Sequence, residues 1–196
     1  MMPSHYALSD AAIVLVTIWA GTMFWRNDRQ LSAFAMACFG VAAAIGVLRF
    51  GGGLQAELAP LHAGASQLLG LAGALAIAVT CLARVRGRSD IGLFALILIA
   101  AAASYFLAQA LLAPIFILTL AIATAATLWR SARSKTSWLM PFGFALLLAN
   151  ALLIRRAPWL GEVVAWHAYH LLIAVALLVL AKAMLITPRN GARTSV

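Results

Sequence analysis

Four side chains have the types and placement to do chemistry inside a membrane: Asp10, His62, His167 and His170. His167 and His170 stand at i and i+3, which on an α-helix sets both imidazoles on one side, about 5 to 6 Å apart at Cβ. Two imidazoles so placed suit one metal ion. His62 would complete a three-His set of the kind that leaves zinc a fourth position for water. Asp10 would act as a fourth ligand, as the acceptor orienting a ligand histidine, or as general base for that water. Ser66, one helical turn beyond His62, would offer its hydroxyl to the metal water or to a developing oxyanion. The chemistry expected of such a constellation is hydrolysis.

The elements that must carry these residues follow from composition. Of 196 residues, 65% are hydrophobic and 10% charged, with a mean hydropathy of +1.01. A soluble domain carries about 25% charged residues, so the chain reads as one all-α transmembrane domain over residues 1–196. Two cysteines exclude a disulfide scaffold. The net charge of +9 comes without a basic stripe interleaved with aromatics, so nucleic acid is not an expected partner. Met1 to Asp10 hold no Lys or Arg, unlike the start of a secretory signal peptide, so the first span is expected to be retained.

Apolar runs of spanning length predict seven helices, at 8–25, 31–50, 60–83, 91–108, 111–129, 137–154 and 163–185. The stretch from Ile91 to Trp129 has no charge and is nearly twice the length one span needs, so it divides near Gln109, with Pro114 in the first turn of the fifth span. Charge agrees with that division. One side holds Arg26, Arg29, Arg84, Arg86, Arg88, Arg130, Arg133, Lys135, Lys182, Arg189 and Arg193; the other holds only Arg49, Arg155 and Arg156. Merging the fourth and fifth spans would give a tie. The positive-inside rule then puts the N-terminus outside and the C-terminus in the cytoplasm, in a membrane read as the bacterial inner membrane. Trp25, Trp129 and Trp138 would form the cytoplasmic aromatic belt, and Trp159 and Trp166 the outer one. Ala42 with Gly46, and Gly70 with Gly73, would let helices approach closely.

Asp10, His62, His167 and His170 all fall near the start of odd-numbered spans, so they share one depth near the outer face. Ser104, Tyr105, Gln109, Asn150, Gln67 and Tyr169 lean the same way, which predicts a polar cavity opening outward, with Tyr105, Asn150 and Tyr169 as its supporting residues. The cytoplasmic half offers threonines able to bond back to their own helices, and a Lys182 able to snorkel. Plainer roles exist for several groups. Ser9 or Asp10 would cap the first helix. Arg49, Arg155 and Arg156 would anchor at the interface or hold a lipid phosphate, and Glu57 and Glu162 would lie in solvated loops.

Seven spans, three histidines with an Asp and a Ser at one face, and the stretch Trp166-His167-Ala168-Tyr169-His170-Leu171-Leu172 resemble the superfamily of alkaline ceramidases and adiponectin-receptor-type proteins. The resemblance implies a seven-helix membrane hydrolase of a lipid amide, with three histidines on zinc, an Asp and a Ser supporting the zinc-bound water, and His167 and His170 as zinc ligands. The pattern departs from that family in having two residues between the paired histidines where the family has three, and in placing His62 before Ser66 in the third span and Asp10 in the first, where the family has the Ser before the His in the second span and the Asp opening the third. The expected activity is zinc-dependent hydrolysis of a lipid amide or ester, with membrane lipids as partners. Two alternatives stand beside it: a b-type haem between His62 and His170, and a non-enzymatic metal sensor, carrier or accessory protein.

Overall fold

The computed structural model describes residues 4–83, 90–134, 137–154 and 157–186; within them the chain forms seven α-helices and no strand. These are α1 (Tyr6–Arg26), α2 (Gln30–Gly51), α3 (Ala59–Ala83), α4 (Asp90–Leu107), α5 (Gln109–Ser134), α6 (Leu139–Leu152) and α7 (Glu162–Ile186), with a 3-10 turn, Pro158–Leu160, before α7. Helices α1, α2, α3, α5 and α7 are long and apolar enough to cross a bilayer. Helices α4 and α6 are apolar but shorter. At about 1.5 Å per residue, the 14 residues of α6 reach about 21 Å, against a hydrocarbon core of about 30 Å.

The chain is a membrane-embedded helical protein. Its rim shows why: Leu15, Ile18, Ile99, Leu118, Ile122 and Val175 are all exposed on the outside of the bundle, where water would find no polar face. Of the basic residues in the charge count, Arg84, Arg86, Arg88, Lys135, Arg155, Arg156, Arg189 and Arg193 lie outside the described residues.

A three-residue connection, with Asp28 at φ 50, folds α1 back on α2 as the tightest helix pair. Helix α2 is central: Leu31, Ala35, Met36 and Phe39 are buried between α1 and α3. Helix α7 closes on α1 and α6, α5 fills the space between α3 and α6, and α4 sits at the margin. Gly73 permits the close approach of α2 and α3, since a Cβ there would stand 2.6 Å from the Phe39 ring.

The predicted division near Gln109 is present as a break at Ala108. Leu111 N–H bonds back to the Ala108 carbonyl, which draws the start of α5 back to Gln109. Pro114 therefore lies six residues into α5 rather than in its first turn, and leaves the Ala110 carbonyl without its usual donor. Helix α5 also runs past Trp129 to Ser134. That extra turn carries Arg130, whose guanidinium donates to the carbonyls of Cys81 (2.8 Å) and Leu82 (2.7 Å) at the end of α3, a cation on a helix C-terminus. Arg29 does the same for Met184 on α7. Thr80, Thr124 and Thr127 bond back to Ala76, Leu120 and Ala123. Trp25, Trp129, Trp138 and Trp159 are exposed as an aromatic belt requires.

Candidate functional site

The first turns of α1, α3, α5 and α7 and the last turns of α2 and α6 surround a cavity of about 860 Å3. Phe39, Leu112, Phe116, Leu147 and Ile173 supply apolar wall, while Asp10, Arg49, His62 and His170 gather on the side formed by α1, α2, α3 and α7. Among the described residues, helix α4 contributes no lining side chain.

Asp10 lies one turn into α1 and is 1% exposed, and among the described residues neither carboxylate oxygen has a hydrogen-bond partner. His170 Nε2 approaches Oδ1 at 3.3 Å without the alignment of a hydrogen bond. The other ring nitrogen, Nδ1, lies 2.8 Å from the Trp166 carbonyl one turn back on α7. A carbonyl only accepts, so Nδ1 carries the hydrogen. Neutral His170 then turns the Nε2 lone pair toward a carboxylate oxygen, so a proton arriving at Nε2 would stand between the two and be held by both.

His62 is held from the opposite side. Its Nδ1 lies 3.3 Å from Arg49 Nη1. A guanidinium only donates, so Nδ1 accepts and the imidazole hydrogen sits on Nε2. That nitrogen and the Asp10 carboxylate both crowd Gly46 on α2: a Cβ at Gly46 would stand 2.3 Å from Asp10 Oδ2 and 2.9 Å from His62 Nε2. Arg49 is fixed in turn by its Nε, which donates to the Gln55 carbonyl at 3.1 Å, and by the Phe50 ring 4.8 Å from its Cζ. The Trp166 ring covers the group, 4.3 Å from the His170 ring and 5.1 Å from those of Tyr6 and Phe50.

Of the residues predicted from sequence, Asp10, His62, His170, Ser66, Asn150 and Tyr169 line the cavity. Asn150 Nδ2 donates to the Tyr169 carbonyl at 2.9 Å, tying α6 to α7, and its Oδ1 is buried without a partner. His167 does not join them. Its ring packs on His5 (5.2 Å) and Tyr6 (5.6 Å), because residues three apart differ by about 60° around a helix, enough for α7 to turn one ring to the cavity and the other to the start of α1. The Tyr105 hydroxyl packs over Gly64, where a Cβ would meet it at 2.9 Å, and is not a lining group. Neither Ser9 nor Asp10 caps α1, which begins at Tyr6; Ser9 Oγ bonds to the Tyr6 carbonyl instead.

Four contributors take roles other than those expected. Arg49 points inward rather than anchoring at the interface, and Glu162, exposed as expected, stands in the first turn of α7 at the cavity rather than in a loop. Trp166 belongs to the site rather than to the belt, and Gly46 makes room for Asp10 and His62 as well as for helix packing. Gly70 also lines the cavity, with nothing for a Cβ to meet. Arg49 was the most accessible signal: an arginine two residues before a glycine run, on the helix preceding His62.

The donor set fits zinc poorly as it stands. Among the described residues, no group of three or more His, Cys, Asp or Glu side chains is arranged to hold a metal ion. His167 faces elsewhere, and a metal on His62 Nε2 would have to displace either a proton or Arg49. A haem between His62 and His170 would have to enter the space that Asp10 fills beside His170 Nε2. Comparisons with protein-family models, with curated proteins and with solved structures give no match to this chain.

Proposed function

We propose that the chain is a membrane-embedded hydrolase of a lipid amide or ester, working by acid–base chemistry at the Asp10–His170 pair. The observation that carries the reading is Asp10 itself. A carboxylate 1% exposed, with no hydrogen-bond partner on either oxygen, beside a histidine nitrogen and a cavity with apolar walls, is costly to keep in a bilayer. Catalysis is what such an arrangement serves best.

In the proposed reaction, His170 Nε2 takes a proton from a water in the cavity, and Asp10 stabilises the imidazolium that forms. The hydroxide adds to the acyl carbonyl of the lipid. The Ser66 hydroxyl and the Arg49 and His62 N–H groups are the donors available to the resulting oxyanion. Collapse of the tetrahedral intermediate breaks the bond to the amine or alcohol, which leaves with the proton held on His170. Phe39, Phe116 and Ile173 supply apolar wall for an acyl chain.

The proposal includes a seven-span topology in a bacterial inner membrane, with the N-terminus and the cavity outside. Its supports are eleven basic residues against three, and the alternation that gathers the starts of α1, α3, α5 and α7 with the ends of α2 and α6.

Right-side-out vesicles bearing the protein and supplied with ceramide or lysophospholipid in the outer leaflet test both parts. Wild type should release fatty acid from outer-leaflet lipid. Asp10→Asn should lower the rate by about 10² to 10⁴-fold, the range for loss of acid–base assistance, while His167→Gln leaves it within a few-fold. Absence of release from every amide and ester lipid, or full activity in Asp10→Asn, overturns the reading.

A further inference from the structure

Arg49, one of the donors available to the oxyanion in the proposed reaction, has a second role that does not depend on turnover. Arg49 sits in the last turn of α2 with its guanidinium fixed by the Gln55 carbonyl, the Phe50 ring and His62 Nδ1. A guanidinium has no lone pair to give, so the bond to His62 admits one direction only. With the Nδ1 lone pair engaged, neutral His62 can offer its Nε2 only as an N–H. That hydrogen belongs to the nitrogen lying, with the Asp10 carboxylate, against Gly46.

The same three side chains without that constraint would make a different site. His62 Nε2, His170 Nε2 and the Asp10 carboxylate come from three helices and are not arranged to hold a metal while Arg49 fixes the His62 ring; drawn together they would amount to two imidazoles and a carboxylate, the donor set that suits a divalent transition metal. His170 already has the hydrogen bond from Nδ1 to a backbone carbonyl that metal-ligating histidines use to free Nε2. Arg49 opposes such a site twice, by holding the proton of His62 on the wrong nitrogen for ligation and by adding a positive charge beside the cluster.

We propose that Arg49 is a positioning residue that fixes His62 as an Nε2–H donor beside Asp10 and thereby keeps a divalent cation out of the Asp10–His62–His170 cluster. The inference rests on the geometry of the proposed site and not on its reaction, so its test needs no turnover.

The full chain in detergent, labelled with ¹⁵N-histidine and with the His62 resonances assigned by their loss in His62→Gln, reports which ring nitrogen carries the proton. Zinc retained after equilibration with the metal and gel filtration reports the site's affinity. Wild type should show His62 in the Nε2–H form and retain well under one zinc per chain. Arg49→Met should release His62 into a mixture of tautomers and gain about one zinc per chain, lost again when Asp10→Asn is added. Arg49→Lys, which keeps the charge and a donor, should stay close to wild type and serves if Arg49→Met does not fold. Stoichiometric zinc on wild type overturns the proposal, and so does a His62 that is Nδ1–H in wild type or unmoved in folded Arg49→Met. The hydrolase reading fails separately, on product release.

Discussion

The two ends of the bundle treat polar side chains differently. Where α3 and α7 finish, Arg130 and Arg29 cap the carbonyls of α3 and α7, and Thr80, Thr124 and Thr127 bond back within their own helices. Among the described residues there, the buried groups left without a partner, Gln30 Oε1 and Ser32 Oγ, are neutral. At the opposite end the unpartnered atoms include both oxygens of a carboxylate, together with Asn150 Oδ1 and Trp166 Nε1. In a low-dielectric interior, an orphaned hydroxyl costs a few kcal/mol at most, whereas an orphaned charge costs far more. One end uses polarity to fasten helices; the other holds it in reserve for a ligand.

The contrast can be broken from the cavity side first. Gly46→Ala places a methyl 2.3 Å from Asp10 Oδ2 and 2.9 Å from His62 Nε2, so the carboxylate or the imidazole must shift. A displacement of that order should cost about 10²-fold in lipid hydrolysis, measured as fatty-acid release from outer-leaflet lipid at matched protein amount. On the fastening side, Arg130→Met removes two charge-assisted bonds to α3 and should lower stability by about 1.5 to 3 kcal/mol, read as a lower thermal midpoint with the rate per folded molecule unchanged. The smallest effect belongs to Thr127→Val. The hydroxyl bonds carbonyls of its own helix at 2.6 and 3.1 Å, and its loss should move stability by less than about 0.5 kcal/mol, because such back-bonding adds little to a helix. If Thr127→Val rivalled Arg130→Met, the division between fastening and reserve would not hold.

The helices were legible because apolar runs and the breaks between them are one-dimensional signals, and all seven lie within a few residues of the predicted positions, the end of α5 being the largest departure. The gathering of Asp10, His62 and His170 was legible too, since alternating spans bring the same depth back every second helix. Which way each side chain turns was not. A soluble helix announces its buried face by contrast with a polar one, but α2 and α7 are apolar all round, and lipid-facing and core-facing residues look alike. Hence Arg49 read as an anchor and Trp166 as a belt residue, and His167 and His170 read as a pair. The tautomer of His62 depends on a cross-helix contact with Arg49, which no spacing rule reaches.

Helix α6, with Asn150 and Leu147 on the cavity wall, is the shortest of the seven. On the proposed topology its reach of about 21 Å falls well short of a relaxed hydrocarbon core, and a bilayer answers such a mismatch by thinning locally. Lipids beside α6 would ride with their headgroups sunk toward the midplane, level with the cavity rather than above it. A neighbouring lipid could then present the linkage below its headgroup sideways, leaving its tails in the leaflet.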